Sequence, residues 1–292
     1  MSDSTDLAAA LADEGISAEE VTDLISRALA EDLGGGVDVT TAATVAADHI
    51  SVLDLVARAS GVVAGLPIAG AALAHGERVS VTLIAADGDR VQPGDVLLSA
   101  VGPTVDLLTA ERTALNLLCH LSGVATATRA WADALAGTPT RVRDTRKTTP
   151  GLRRLEKYAV RCGGGVNHRM YLSDVALVKD NHVVAAGGVA AAFAAVREQF
   201  PDVPVEVEVD SLPQLVEVLA AGADLVLLDN FTTPQMHEAV AITAGRAALE
   251  ASGGLTLADA AAVGASGVDF VAVGALTHSA AVLDIGADLR EV

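Results

Sequence analysis

The chain is 292 residues long, 51% apolar yet only 2% aromatic, and carries a formal net charge of −19. Its length admits a barrel-sized domain with a smaller partner, and an apolar content dominated by Ala, Val and Leu suits layered helices and parallel strands. The acidic balance excludes general nucleic-acid binding, which needs spare Lys and Arg against phosphate, and no run of about 18 uncharged apolar residues marks a membrane span.

Residues 1–14 are acidic and lack the basic start and compact apolar segment of a secretory signal, so a cytoplasmic protein is expected. Ile16, Val21, Leu24, Ile25 and Leu29 recur at helical spacing, predicting a helix over 16–32 that Gly34-Gly35-Gly36 stops. β-prone runs at 52–57, 79–84 and 96–101, separated by turns such as Asp87-Gly88-Asp89 and Gln92-Pro93-Gly94-Asp95, predict a small, mainly antiparallel sheet with a helix near 67–75. From about 105 to 136 a helical pattern with a single glycine, Gly123, bridges the domains. Cys119 and Cys162 are too few and too isolated for a disulfide framework or a cysteine-rich metal site, and read as packing residues.

Beyond the bridge, short buried strands alternate with helices. Strands are predicted at 141–144, 175–178, 205–209, 225–228, 247–251 and 269–273, and helices near 152–161, 188–199, 211–221, 234–244 and 256–265. Such interleaving implies parallel pairing through right-handed crossovers. Six strands rather than eight predict an irregular, incomplete β/α barrel, with a doubly wound open sheet as the alternative. The expected domains are 1–113, an N-terminal α/β domain, then 114–278, the barrel, and 279–292, a tail that returns to the first domain.

In parallel β/α folds the working groups sit where strands end and loops begin. The predicted strand ends lead into Asp144-Thr145-Arg146-Lys147-Thr148-Thr149, Lys179-Asp180-Asn181-His182, Glu208-Val209-Asp210, Asp229-Asn230, Ser252-Gly253-Gly254 and Gly274. Between Arg141 and Lys179 stand ten of the nineteen Lys and Arg residues, against the three acids Asp144, Glu156 and Asp174. For Arg153, Arg154, Lys157 and Arg161, at helical spacing, a solvated helix face is an open alternative. Arg146, Lys147, Arg169 and Lys179 fall instead at strand ends or in a glycine-rich loop. Cations gathered in a cleft repel one another and lose hydration unless a multiply charged anion joins them. A small dicarboxylate or a polyphosphate fits, and the planar fork of Arg suits carboxylates.

Glu208 and Asp229 end neighbouring strands and are expected across the mouth from this cationic wall. Carboxylates there can hold a divalent metal, bond ribose hydroxyls or favour a cationic sugar in a transition state, while pairing with a nearby Lys or Arg is the alternative. The small residues at 252–254 and 271–274, with a helix starting near Leu255 to Thr256, offer backbone N–H groups as a phosphate cradle. His49, His75, His120 and His237 have no partner at metal-ligand spacing and read as structural or exposed.

In this order, Thr109-Ala110-Glu111-Arg112-Thr113-Ala114-Leu115-Asn116, Asp144-Thr145-Arg146-Lys147-Thr148-Thr149-Pro150-Gly151, Gly163-Gly164-Gly165-Val166-Asn167-His168-Arg169, Lys179-Asp180-Asn181-His182, Val207-Glu208-Val209-Asp210 and Leu249-Glu250-Ala251-Ser252-Gly253-Gly254 resemble the quinolinate phosphoribosyltransferase family. The resemblance runs from about residue 24 to 278, and the Asp144 to Thr149 stretch together with the Gly163 to Arg169 loop is its specific part. It implies an open-faced α/β sandwich joined to an irregular β/α barrel. It also implies an enzyme that, with Mg2+, moves phosphoribosyl from phosphoribosyl pyrophosphate to quinolinate with decarboxylation. The products are nicotinate mononucleotide, pyrophosphate and CO2, in de novo NAD biosynthesis.

By the same resemblance, Arg146, His168, Arg169 and Lys179 grip the quinolinate carboxylates and Lys147 faces the pyrophosphate. Glu208 and Asp229 serve the ribose and the metal, while Ser252, Gly253 and Gly274, with His278 a further candidate, hold the 5′-phosphate. A homodimer is implied, in which Arg112 reaches the partner's active site. The rival readings are an enzyme acting on nicotinate, a paralogue recruited to molybdate uptake, and a non-catalytic anion binder. The full set of Arg112, Arg146, Arg169 and Lys179 favours the dicarboxylate.

Overall fold

The computed structural model describes Ala12 and residues 15–292. The rest of residues 1–14, and with it the expectation about a leader, lies outside the described residues. The chain divides into two compact units, one made of Met1–Ala127, Arg154–Gly163 and Ala280–Val292, the other of Thr128–Arg153 and Gly164–Ser279. Among the described residues no helix is long and apolar enough to cross a membrane.

In the first unit the opening helix α1 (Ala18–Leu33) starts at Ser17, whose side chain accepts from the Glu20 N–H, and stops at Gly34 in the left-handed region. A short helix α2 (Val39–Thr44), which periodicity did not mark, is capped by Asp38. The antiparallel sheet consists of β1 (Ile50–Ala57), β3 (Ser80–Leu83), β5 (Val96–Pro103) and β12 (Ile285–Glu291), in the order β12-β1-β5-β3. A small ribbon joins β2 (Gly61–Val62) to β4 (Arg90–Val91). Helix α3 (Leu66–Leu73) begins where both carboxylate oxygens of Asp87 accept the N–H groups of Gly65 and Leu66, so the predicted Asp-Gly turn also serves as a helix cap. The long helix α4 (Thr104–Ala134) has its one glycine where a Cβ would lie 2.2 Å from the carbonyl of Ala281. That close approach seats the C-terminal segment before β12 runs antiparallel to β1.

Helix α5 (Arg153–Cys162) packs mostly with the first unit, although its flanking loops belong to the second. The solvated face left open for this helix holds only in part. Arg154 and Arg161 are exposed, but Lys157 and Glu156 are fully buried, and the Tyr158 hydroxyl donates to Asp87 at 2.5 Å. Arg153 turns its guanidinium to Thr148 and to the carbonyl of Met170.

The second unit is a six-stranded parallel sheet of β6 (Arg141–Arg143), β7 (Ala176–Val178), β8 (Val205–Val209), β9 (Leu225–Asp229), β10 (Ala248–Ser252) and β11 (Phe270–Ala272), in the order β6-β11-β10-β9-β8-β7. From β7 to β11 each strand lies beside its successor, and β11 then pairs with β6, the first of the set. Winding in one sense with that return is the order of a barrel left open between β6 and β7, whereas a doubly wound sheet reverses direction midway. On the open side Val166 forms a parallel bridge with Arg143, so the Gly163 to Arg169 loop partly lines the gap.

Helices α7 (Val189–Gln199), α8 (Leu212–Ala220) and α9 (Thr233–Thr243) follow the predicted rhythm. Two regions differ. The cluster after β7 is itself a helix, α6 (Asp180–Ala186), with Lys179 at its N-cap; Asp and Asn read as strand-end loop residues but also start helices. The helix expected over 256–265 is a 3-10 turn (Leu257–Asp259) followed by α10 (Ala260–Ser266), and α11 (Ala275–His278) closes the unit.

Candidate active site

Side chains on a strand alternate between faces, so in a barrel every second residue points inward. Here the inward residues form two layers. The outer one carries Lys179, Glu208, Asp229, Ser252 and Gly274, and the inner one Arg143, Leu177, Glu206, Leu227, Glu250 and Ala272. A cavity of about 600 Å³ opens over them. Its walls include Arg146, Lys147, His168, Arg169, Lys179, Glu208, Asp229, Ser252, Gly253, Gly274 and His278, with Leu177, Leu227 and Ala272 supplying apolar floor. Every residue that the resemblance gives a substrate, phosphate or metal role therefore lines one cavity except Arg112, which lies exposed on α4 in the first unit.

The cationic and acidic groups are closer than expected. Rather than standing across the mouth, Glu208 meets Lys179, Nζ to Oε2 2.6 Å. Asp229 accepts from the side chain of Asn230, a residue held at φ 56. Burial and the neighbouring Arg146 hold Arg169 below the usual guanidinium range. Two crowded arginines, one partly desolvated, are the condition that an anionic ligand relieves.

On the opposite side the backbone comes close. Gly253 has φ +101, and a Cβ there would lie 2.2 Å from Oδ1 of Asn230. At Gly274 a Cβ would meet Cδ of Lys147 at 3.0 Å and Nε2 of His278 at 3.3 Å, so these three residues converge. Thr277 donates to the Lys147 carbonyl at 2.8 Å, which ties the loop after β6 to α11. Backbone N–H groups unobstructed by side chains suit a phosphate.

At the base of the cavity lies a charged network in which sequence reasoning gave His168 a role but not Arg143, Glu206 or Glu250. Glu206 and Glu250 are fully buried, and Arg143 binds Glu250 at 2.6 Å while stacking over Phe270. His168 Nε2 approaches Glu206 at 2.8 Å and Glu250 at 3.5 Å, although the Glu206 oxygens have no well-aligned hydrogen bond. Burial above all, then the charge of Glu206, pushes the Glu250 carboxyl up to about 7, against the pull of His168 and Arg143. Fully buried Asp144 accepts from the Asn167 side chain at 2.5 Å and the His168 N–H at 2.8 Å. A signal for the glutamates existed: the alternation Val205-Glu206-Val207-Glu208-Val209 puts Glu206 on the face of Glu208, and Glu250 shares that of Ser252.

Hard carboxylate oxygens that could take a cation occur in two places, Glu208 with Asp229 at the mouth and Glu206 with Glu250 below. The lower pair is already partnered: Arg143 binds Glu250, and one ligand atom from each of His168, Glu206 and Glu250 lies within 4.8 Å of the others.

Residues 38–122 match the quinolinate phosphoribosyl transferase N-terminal domain, and residues 124–288 match its C-terminal domain. The nicotinate-nucleotide pyrophosphorylase (carboxylating) of Mycobacterium leprae (strain TN) is 53% identical over 275 residues, covering 91% of this chain and 96% of that one. Its probable counterpart in Bacillus subtilis (strain 168) is 40% identical, over 91% and 92%. Among solved structures, NadC from Streptococcus pyogenes superposes with a TM-score of 0.91 at 40% identity, covering 95% of this chain and 99% of that one. With both domains matched in order, this chain belongs to the quinolinate phosphoribosyl transferase family.

Proposed function

We propose that the protein transfers the phosphoribosyl group of phosphoribosyl pyrophosphate to quinolinate and releases CO2, forming nicotinate mononucleotide and pyrophosphate in de novo NAD biosynthesis. The observation that carries this reading is one cavity in which Arg146, Arg169, Lys147 and Lys179 face Glu208 and Asp229 beside a glycine-rich rim. Arg146, Arg169 and Lys179 neutralise the two carboxylates of the pyridine, with His168 in the same wall. Ser252, Gly253 and Gly274, with His278, receive the 5′-phosphate. An arginine from a second subunit, Arg112, completes the cationic wall, so the working form is a homodimer.

The ring nitrogen attacks the anomeric carbon as the bond to pyrophosphate breaks. Positive charge grows on the sugar, which Glu208 and Asp229 favour, while Lys147 meets the departing oxygens. The new C–N bond leaves the ring cationic. When the 2-carboxylate departs as CO2, its electron pair remains on the carbon beside that nitrogen, which stabilises it until a proton arrives.

Glu208 and Asp229 fit Mg2+, which takes one or two carboxylates and completes its shell with waters and substrate phosphate oxygens. Bound there, the ion would neutralise charge on the pyrophosphate. The test is release of labelled CO2 from carboxyl-labelled quinolinate, dependent on Mg2+ and the sugar donor. Pyrophosphate release from nicotinate but not from quinolinate would overturn the assignment.

A further inference from the structure

The loop that partly lines the open side of the barrel is anchored at several points. The Val166 N–H donates to the Val142 carbonyl at 2.9 Å and the Asp144 N–H returns to Val166 at 3.3 Å, which staples the loop to the end of β6. Asp144 then takes both the Asn167 side chain and the His168 N–H. Past that staple the His168 ring turns into the inner layer, with Nε2 against Glu206 and Glu250. Its other nitrogen, Nδ1, accepts the N–H of Arg169 at 2.7 Å. With Nδ1 accepting, Nε2 is the nitrogen that carries a ring proton toward the acids. Nδ1 is thus taken by the backbone, while Nε2 lies against Glu206 and Glu250.

Arg169 is the next residue. Its backbone N–H is held by His168, and its guanidinium donates through Nη1 to the Val175 carbonyl at 2.8 Å. The remaining guanidinium N–H groups are left for a ligand in the cavity that Arg169 lines. Burying three carboxylates is costly, and here their positions converge on the residue beside Arg169.

We propose that Asp144 and Glu206 are positioning residues: they clamp His168 from its backbone and ring sides, and His168, so held, sets Arg169 against a carboxylate of the pyridine substrate. This rests on the phosphoribosyl transfer to quinolinate proposed above. His168 is then a peg inside the barrel rather than a ligand of the substrate, and Glu206 determines affinity for the dicarboxylate without touching it.

Steady-state kinetics of the full chain with both substrates test the clamp. Glu206→Met, of similar volume, and Asp144→Asn are each expected to raise KM for quinolinate about tenfold or more. KM for phosphoribosyl pyrophosphate stays within about twofold. Glu206→Gln, which keeps an oxygen facing Nε2, returns the quinolinate KM to within about threefold of the wild type. Because Glu206 acts through His168, the double variant Glu206→Met with His168→Ala is no worse than His168→Ala alone. Equal losses for the two substrates, or single effects that multiply in the double variant, overturn the proposal. Should Glu206→Met fail to fold, Asp144→Asn decides alone, and equal losses there overturn it as well. A wild-type protein that makes no nicotinate mononucleotide removes the functional reading itself, a result distinct from any pattern among the variants.

Discussion

Lys179 and Glu208 share a hydrogen-bonded ion pair of 2.6 Å at the mouth of the cavity, with the lysine half exposed and the glutamate largely covered. An ion pair with one partner in solvent contributes only about 0–1 kcal/mol, so a ligand can take Lys179 from it. Replacing either partner should therefore act on the reaction more than on folding. Lys179→Ala is expected to raise KM for quinolinate about 10–100-fold. Glu208→Gln is expected to lower kcat about 100-fold, by removing charge opposite the developing cation, without raising KM for quinolinate. Separate kcat and KM values for the two variants check this, and an identical pattern in both would show that they act only as a pair.

Gly253 is held where a side chain has no room. Its φ of +101 is strained for any L-residue, and a Cβ would overlap Oδ1 of Asn230. Gly253→Ala is expected to cost about 1–3 kcal/mol of stability through the backbone alone. It should also shift Asn230, the partner of Asp229, and raise KM for phosphoribosyl pyrophosphate about tenfold, with a smaller change for quinolinate. Urea denaturation and steady-state kinetics read the two effects, and unaltered kinetics would place the phosphate elsewhere.

Glu250 makes stability depend on pH. Its carboxyl has an ordinary value of 4.5 and is raised to about 7 in the folded protein, chiefly by burial. Between those values the native state holds a proton that the unfolded chain has released, so stability from this group is full below about 4.5 and falls as pH rises toward 7. Glu250→Gln cannot ionise. Its melting temperature relative to the wild type should therefore rise from pH 5 to pH 7.5, and a constant difference across that range would mean that Glu250 keeps its ordinary value.

The rim of the barrel was legible because chemistry there depends on chain position: residues at the ends of parallel strands must meet. That logic brings Lys147, Glu208, Asp229 and Ser252 to one cavity without any contact being known. The inner layer was harder to read. Glu206 and Glu250 obey the same alternation, but a glutamate inside a barrel makes sense only once Arg143 and His168 are seen beside it, and these come from the first strand and from a loop. Lys157 misled for a related reason. A lysine at helical spacing among arginines suggests a wet face, and only the packing of α5 shows that it is fully buried. The helix after Lys179 was missed because Asp180 and Asn181 serve a turn and a helix start equally well.

Arg112 gives the most direct test of a shared site. It is exposed on α4 and does not line the cavity of its own chain, whereas Lys147 does. If a working site takes its body from one subunit and Arg112 from another, Arg112→Ala and Lys147→Ala should each be nearly inactive alone. In a mixed dimer one site receives intact Arg112 from the Lys147→Ala subunit and intact Lys147 from the other. The second site carries both defects. Equal mixing makes half the dimers mixed, so subunit exchange should restore about a quarter of wild-type activity. Recovery at that level, appearing as the subunits exchange, requires donation across an interface. No recovery despite exchange, followed by light scattering and mass spectrometry of labelled chains, would confine Arg112 to its own subunit.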